Sequence, residues 1–188
     1  MKRAFDVLAC TVFLVVFWPA LLTIIVAIRL QSPGRAIFTQ VRVGKNGRLF
    51  TCYKLRTMYW GTANLPTHQV DASAVTALGE HLRRFKIDEL PQLWNVLVGD
   101  MSLVGPRPCL PTQVELVEAR RRLGVLKMRP GITGLAQVSG VDMSDANRLA
   151  EIDARYAASQ SLTEDFRLIW ATLRGQGVGV DQIVRFTK

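Results

Sequence analysis

The adjacent acids Asp88 and Glu89 are the residues in this sequence best suited to chemistry. They follow a basic run that includes Arg83 and Lys86, and Pro91 comes two residues after Glu89. Aspartate is a preferred helix N-cap and proline is tolerated in a first turn, so a helix is predicted to begin here. Asp88 then either only caps that helix, or uses the free N–H groups and partial positive charge of its N-terminus, which attract phosphate.

The second possibility gives the acidic pair a chemical role. The field of a helix N-terminus keeps Asp88 ionised, as a nucleophile requires. A neighbouring carboxylate can hold Mg²⁺, which neutralises phosphate oxygens during a displacement. Asp88 and Glu89 together therefore predict a phosphoryl-transfer site.

Basic side chains elsewhere could bind the phosphate. Arg107 lies between two prolines, and this stiff backbone suits bidentate phosphate binding, although a solvated arginine in a rigid loop is the alternative. Lys54 and Arg56 alternate along a predicted strand and so share one face. The glycine-rich turn 129–134 is a weaker indication of a site element.

The composition restricts the classes of partner. The chain has 188 residues and a formal charge of +9, which suits nucleic acid, an acidic membrane surface or a phosphate-bearing small molecule. Three cysteines and two histidines, with no CxxC pair, argue against a disulfide framework or a zinc site. Any metal is expected to be a hard cation bound by carboxylate and phosphate oxygens.

An uncharged apolar stretch, Val7 to Ile28, is long enough to enter a membrane. Pro19 near its centre removes a backbone hydrogen bond, and basic residues flank both ends, which favours cytoplasmic flanks on both sides. The pattern predicts a re-entrant helix-break-helix anchor with its break at Trp18 and Pro19. A kinked helix that crosses the membrane is the alternative.

The rest of the chain predicts an α/β fold, mostly helical with a small β-hairpin. We expect an anchor at 1–33 and one compact cytoplasmic domain at 34–188. The apolar stripe of the last helix is predicted to face the core, with a membrane interface as the second option. The predicted elements are strands at 36–43 and 49–58, a loop at 59–72, and helices at 76–86, 89–98, 112–123, 145–158 and 162–174.

In combination, these segments resemble the bacterial sugar transferase family, the monotopic phosphoglycosyl transferases, in its minimal small form. The matching pieces fall in family order between Lys2 and Val138. They are Lys2–Asp6 (KRAFD), Ser32–Gly34 (SPG), Phe38–Gly44 (FTQVRVG), Tyr53–Met58 (YKLRTM), Ile87–Gln92 (IDELPQ), Asn95–Val96, Gly99–Pro108 (GDMSLVGPRP) and Arg129–Val138 (RPGITGLAQV).

The resemblance implies transfer of a sugar-1-phosphate from a UDP-sugar to a polyprenol phosphate, such as undecaprenyl phosphate, with release of UMP. It implies that Asp88 is the nucleophile and forms an aspartyl phosphosugar, and that Glu89, with Asp88, holds Mg²⁺. Arg83 and Arg107 would bind phosphate groups. Further substrate-binding residues expected from the matching pieces are Lys54, Arg56, Gln92, Arg129, Thr133 and Gln137.

Two positions depart from the family pattern. Trp18 stands before the proline where many members have serine, so the shape of the break is less certain. Val141 stands where many members continue with arginine, so the identity of the sugar should not be copied from relatives.

The expected setting is the cytoplasmic face of the bacterial inner membrane, with anionic lipid as a partner; a homo-oligomer is left open. The rival classes are a membrane-tethered basic protein that binds anionic lipid or nucleic acid, and an enzyme acting on polyprenyl diphosphates without a nucleotide donor. No nucleic-acid motif is present, so nucleic acid is not an expected partner.

Overall fold

The computed structural model describes residues 1–62 and 74–175. Most of the loop predicted at 59–72 therefore lies outside the described residues. Short 3₁₀ turns occupy Lys45–Gly47, Ile87–Glu89 and Val125–Lys127. The strands are β1 (Ile37–Val43), β2 (Leu49–Leu55), β3 (Ser102–Val104) and β4 (Gly131–Thr133), and the helices are α1 (Lys2–Gln31), α2 (Ala77–Arg84), α3 (Gln92–Val98), α4 (Val114–Arg122), α5 (Leu135–Val138), α6 (Ala146–Ser159) and α7 (Leu162–Leu173).

The predicted hairpin is confirmed. β1 and β2 pair antiparallel, from Ile37 opposite Leu55 to Val43 opposite Leu49. Asn46 in the connecting turn has a φ of 57°, in the left-handed region that asparagine tolerates better than most residues. β2 ends at Leu55, three residues before the predicted end of the second strand.

A second sheet, which the sequence did not predict, joins two distant segments. β3 and β4 pair in parallel, with Ser102 opposite Gly131 and Val104 opposite Thr133. The backbones approach so closely beyond β3 that a Cβ on Gly131 would lie 2.1 Å from the Gly105 nitrogen. This contact requires glycine, and it brings the loop that carries Arg107 beside the 129–134 turn.

The predicted break of the anchor into two helices is not found. α1 runs as one helix of 30 residues with Pro19 inside it. Proline removes one backbone hydrogen bond but leaves the bonds of the neighbouring turns, so a helix can continue through it. The Thr23 hydroxyl, one turn later, donates to the Pro19 carbonyl at 3.0 Å.

Both halves of α1 pack against the remainder of the chain. Cys10 is buried beside Val96 and Met101, and Ile28 is buried beside Leu55 and Leu82. Between these contacts the apolar side chains are exposed, Trp18 to 59%. One helix in the described residues, α1, is long and apolar enough to cross a membrane.

Hydrogen bonds and an ion pair fix the first turns of α1 to three other elements. Lys2 binds Asp165 of α7 at 2.5 Å, and Ser102 of β3 donates to Asp6 at 2.7 Å. The Arg3 guanidinium donates to two carbonyls in the last turn of α3, those of Val96 and Leu97. The start of the apolar helix is therefore tied to the helix that follows the acidic pair.

The prediction that the apolar stripe of α7 faces the core is wrong for most of its members. Phe166, Trp170 and Leu173 are 53%, 58% and 75% exposed, while Leu168 is buried with Tyr156. The buried face of α7 is defined instead by Leu168 together with Asp165, whose carboxylate accepts a hydrogen bond from the Tyr156 hydroxyl. The buried face of α7 therefore includes a charged residue that the apolar stripe did not predict.

Candidate active site

The acidic pair lies on a tight turn between α2 and α3. Asp88 and Glu89 belong to the 3₁₀ turn Ile87–Glu89, and α3 begins only at Gln92. The N-cap position of the turn is held by Lys86, so the prediction of Asp88 as an N-cap is wrong. Since both helical pieces are short, the positive environment of Asp88 comes mainly from side chains.

Lys86 has an unusual backbone conformation for a residue with a side chain. Its φ of 56° and ψ of 20° place it in the left-handed region, which costs free energy for any residue other than glycine. The Glu89 N–H donates to the Lys86 carbonyl at 3.2 Å, which closes the turn. Backbone strain is thus held two residues before Asp88.

Glu89 is buried and is held by two cations. Lys54 Nζ lies 2.7 Å from Glu89 Oε1, and Arg107 Nη2 lies 3.0 Å from the same oxygen. Burial alone would raise the pKa of Glu89, but the charges of Lys54 and Arg107 hold that pKa well below its usual range. Glu89 is therefore ionised throughout the neutral range.

Asp88 is in a different electrostatic state. Burial and the charge of Glu89 raise the pKa of Asp88 to about 6, against the opposing influence of Lys54, Arg83 and Arg107. At neutral pH the carboxylate is mostly ionised, yet its charge is poorly compensated. Neighbouring carboxylates with divergent pKa values are typical of sites where the two groups have different tasks.

Two further cations flank Asp88. Arg83 donates through Nε to the Thr57 hydroxyl at 2.9 Å. Burial lowers the pKa of Arg83, and the charge of Asp88 opposes this. Burial likewise lowers the pKa of Lys86, with Glu89 opposing. Lys86 was not predicted as a site residue, although its place directly before Ile87-Asp88 was a usable signal.

A groove beside Glu89 collects several of the predicted residues. It is lined by Arg42, Cys52, Lys54, Glu89, Gln92, Arg107, Pro108, Gly131 and Ile132. Gln92, predicted to bind substrate, is brought to Glu89 by the first turn of α3. Arg42 was not predicted as a site residue, although it lies in a family-like segment. Burial, followed by the nearby charge of Arg107, lowers the pKa of Arg42.

Arg56 is not brought to this groove. Its guanidinium donates to the carbonyls of Pro33, Ser32 and Ile28 at 2.5, 2.6 and 3.3 Å, so it caps the end of α1. The alternation that predicted a shared face with Lys54 fails because β2 ends at Leu55. The guanidinium of Arg56 thus has a structural role at the end of α1, and its binding of phosphate stays a prediction.

The remaining predicted residues lie around the second sheet. Arg129 donates to the Gly99 carbonyl at 2.8 Å, and the Thr133 hydroxyl lies 2.5 Å from that of Thr172. Gln137 donates to the Ile132 carbonyl at 2.8 Å, while its Oε1 atom is buried and has no hydrogen-bond partner among the described residues. Their binding of substrate stays a prediction.

The side chains available as metal ligands restrict how Mg²⁺ could be bound. Within residues 1–62 and 74–175, no three His, Cys, Asp or Glu residues form a group that could hold a metal ion. Both ion pairs of Glu89 use Oε1, so Oε2 can take another ligand. Mg²⁺ commonly binds one or two carboxylates and completes its shell with substrate phosphates and water. Asp88 and Glu89 fit that mode, and Mg²⁺ binding stays a prediction.

Comparison with known proteins gives the class to which this fold and site belong. The bacterial sugar transferase family model matches residues 1–176. A UDP-glucose:undecaprenyl-phosphate glucose-1-phosphate transferase of Caulobacter vibrioides is 40% identical over 92% of this chain and 68% of its own length. The exopolysaccharide production protein ExoY of Rhizobium meliloti is 36% identical over 92% of this chain and 83% of its own.

A longer relative shows the same similarity. An undecaprenyl-phosphate glucose phosphotransferase of Komagataeibacter xylinus is 38% identical over 92% of this chain, which spans only 35% of that protein. The chain belongs to the bacterial sugar transferase family. The predicted enzyme class, phosphoglycosyl transferase, is thereby confirmed, and α1 fits the membrane association expected of it.

Proposed function

We propose that this protein transfers a sugar-1-phosphate from a UDP-sugar to a polyprenol phosphate and releases UMP. The observation that carries the proposal is the state of the acidic pair. Glu89 forms ion pairs with Lys54 and Arg107. The negative charge of Asp88 is less well balanced by the same cations, because burial and the charge of Glu89 raise its pKa to about 6. The relatives named above support undecaprenyl phosphate as the acceptor and a UDP-sugar as the donor.

The reaction proceeds in two displacements. A carboxylate oxygen of Asp88 attacks the sugar-bearing phosphorus of the donor, the bond to the bridging oxygen breaks, and UMP leaves with the electron pair. The aspartyl phosphosugar is then attacked by a phosphate oxygen of the polyprenol phosphate, which forms the diphosphate bond and restores the Asp88 carboxylate. Covalent catalysis of this kind divides one difficult step into two.

The surrounding charges suit this sequence. Lys54, Arg83, Lys86 and Arg107 place four cations around two carboxylates, which leaves an excess of positive charge for a diphosphate donor. Arg107 offers a planar guanidinium to phosphate oxygens. Mg²⁺ bound by Glu89 with Asp88 would supply further neutralisation of phosphate charge.

The contacts of α1 support a monotopic arrangement. A straight helix of 30 residues is about 45 Å long, enough to cross a bilayer. However, Arg3 near its start binds α3, and Ser32 just beyond its end binds Arg56, so both ends are held by one body. A crossing helix would place its ends on opposite sides. We therefore favour an anchor that does not cross the bilayer and has both ends on the cytoplasmic side, where the basic flanks are preferred.

The exposed face of α7 supports contact with the lipid surface. The rings of Phe166 and Phe5 of α1 have centroids 4.8 Å apart, so the exposed apolar surface of α7 continues that of α1. Arg174 lies over the Trp170 ring at 4.9 Å. Aromatic rings beside cations are typical of helices that lie at an anionic membrane interface.

The proposal is tested by UMP release from the full chain in lipid nanodiscs. A panel of UDP-sugars is supplied with Mg²⁺, with and without undecaprenyl phosphate. We expect multiple-turnover UMP release with one or a few donors, only in the presence of the acceptor, together with a lipid-linked diphosphosugar. Phosphate release from polyprenyl diphosphate without any nucleotide donor would instead support the rival enzyme class.

A further inference from the structure

The segment that carries Arg107 has no helix or strand of its own, yet each of its carbonyls is bound. Four consecutive carbonyls, from Pro106 to Cys109, accept hydrogen bonds from three different parts of the chain: β1, α4 and β4. The donors are the backbone N–H of Gly131 at 2.9 Å, Nη1 of Arg120 at 2.8 Å, Nη1 of Arg42 at 3.0 Å and the backbone N–H of Val43 at 2.9 Å.

The bond at Arg107 itself comes from a buried ion pair whose residues do not line the groove. Arg120 of α4 is 3% exposed, and Asp153 of α6 is 2% exposed. Two nitrogens of Arg120, Nε and Nη2, bind Asp153 Oδ2 at 2.9 and 2.7 Å, and the third, Nη1, donates to the Arg107 carbonyl. The guanidinium is thus fixed at both of its edges.

This geometry links the orientation of Arg107 to the core. Pro106 and Pro108 restrict the φ angles on either side, but they also remove the two N–H groups that could have held the segment in place. The Arg107 carbonyl is therefore an important point of attachment, since the Arg107 side chain reaches Glu89 at 3.0 Å. A fixed backbone lowers the entropy that the side chain loses when it binds phosphate.

We propose that Arg120 and Asp153 act as positioning residues for Arg107, and set its guanidinium for Glu89 and the donor phosphate. The inference rests on the proposed function, because it assumes that Arg107 binds a phosphate of the UDP-sugar. It goes beyond that function by assigning a catalytic effect to a core ion pair between α4 and α6 that does not touch substrate.

The test is a double-mutant cycle on kcat/KM for the donor, measured by UMP release from the full chain in nanodiscs. The pair variant Arg120→Met with Asp153→Leu removes the donor to Arg107 and leaves no unpaired buried charge, so it is designed to fold. The second arm is Arg107→Gln. The matched control is Arg121→Gln on the same helix, which removes an exposed pair with Glu118 and should leave activity unchanged.

We expect Arg107→Gln to lower kcat/KM by roughly 10- to 100-fold, the scale of one lost hydrogen bond to a charged group. The pair variant should lower kcat/KM by about 5-fold or more, mainly through KM for the donor, and the combined variant should be no worse than Arg107→Gln alone. Losses that multiply in the combined variant would overturn the inference, because they indicate a purely structural role. A pair variant with normal kcat/KM would also overturn it.

A replacement variant and the result for Arg107→Gln alone complete the test. If the pair variant does not fold, Arg120→Lys replaces it, since lysine keeps a charge beside Asp153 but lacks the second edge of the guanidinium; the same non-additivity is expected. If Arg107→Gln alone retains full activity, the assumed role of Arg107 in the proposed function has failed. Failure of the positioning inference alone is a different result: Arg107→Gln lowers kcat/KM, but the pair variant does not.

Discussion

Lys54 on the second hairpin strand and Glu89 on the turn before α3 form an ion pair at 2.7 Å, between residues 35 positions apart. This pair joins the β-hairpin to the turn that carries Asp88. It also keeps the second acid of the site ionised, because the Lys54 charge helps to hold the pKa of Glu89 well below its usual range against the effect of burial. The hairpin therefore contributes directly to the electrostatics of the site.

Lys54→Met should reduce both stability and turnover. The depressed pKa of Glu89 stabilises the fold above the normal carboxyl range, and that contribution is lost as pH falls through the folded-state pKa. Removing Lys54 should thus lower Tm at pH 7 more than at pH 3, and lower kcat/KM by about 10-fold or more. Thermal scans at both pH values and UMP release check this.

Lys45→Met, in the exposed hairpin turn, provides the control because it removes the same charge away from the site. An equal loss of activity in both variants would show that net charge matters, and not the pair with Glu89.

Asp88→Asn should abolish turnover while making the protein more stable at neutral pH. The raised pKa of Asp88 means that folding favours its protonated form, so its contribution to stability is present below about pH 4 and is lost as pH rises through about 6. A neutral amide avoids that cost, by at most about 2–3 kcal/mol, since one pKa unit corresponds to about 1.4 kcal/mol.

Denaturant unfolding of wild type and Asp88→Asn at pH 7.5 and pH 4 measures this difference. The increase in the free energy of unfolding caused by Asp88→Asn should be present at pH 7.5 and close to zero at pH 4. A variant that is destabilised at pH 7.5 would contradict the electrostatic description of Asp88.

The pH dependence of kcat/KM should report the same group. Since the nucleophile must be ionised, activity should fall on the acid side with an apparent pKa near 6 in the free enzyme. Measurement from pH 5 to pH 8 in one mixed buffer checks it. A kcat/KM that stays constant down to pH 5 would contradict a raised pKa of Asp88.

Both ends of α1 should be accessible from the cytoplasm only. Single cysteines placed before Met1 and at Arg35, which is exposed, lie on either side of the anchor, while the native Cys10, Cys52 and Cys109 are buried. In intact spheroplasts, a membrane-impermeant maleimide should label neither introduced cysteine, and permeabilisation should expose both. Labelling of one end alone in intact spheroplasts would establish a crossing helix.

Particular residues show what could be read from the sequence. Asp88, Glu89 and Arg107 were found because acids beside a basic run, and an arginine between prolines, are local patterns. The meeting of Lys54 and Arg107 at Glu89 depends on long-range packing. So does the β3–β4 pair, which no periodicity within three-residue strands could predict. The expectation that Arg56 shares a strand face with Lys54 was wrong because alternation was extended one residue past β2. The exposed side of α7 was misjudged because Asp165, a charged residue, turned out to be buried with Tyr156.

The most direct test of the central claim is a search for the covalent intermediate. The full chain is incubated with its UDP-sugar and Mg²⁺ but without polyprenol phosphate, then denatured, digested and analysed by mass spectrometry. We predict one equivalent of UMP released and a peptide containing Asp88 that is heavier by one phosphosugar, which disappears when undecaprenyl phosphate is added and never forms in Asp88→Asn. UMP release that strictly requires both substrates, with no modified peptide, would contradict a nucleophilic Asp88.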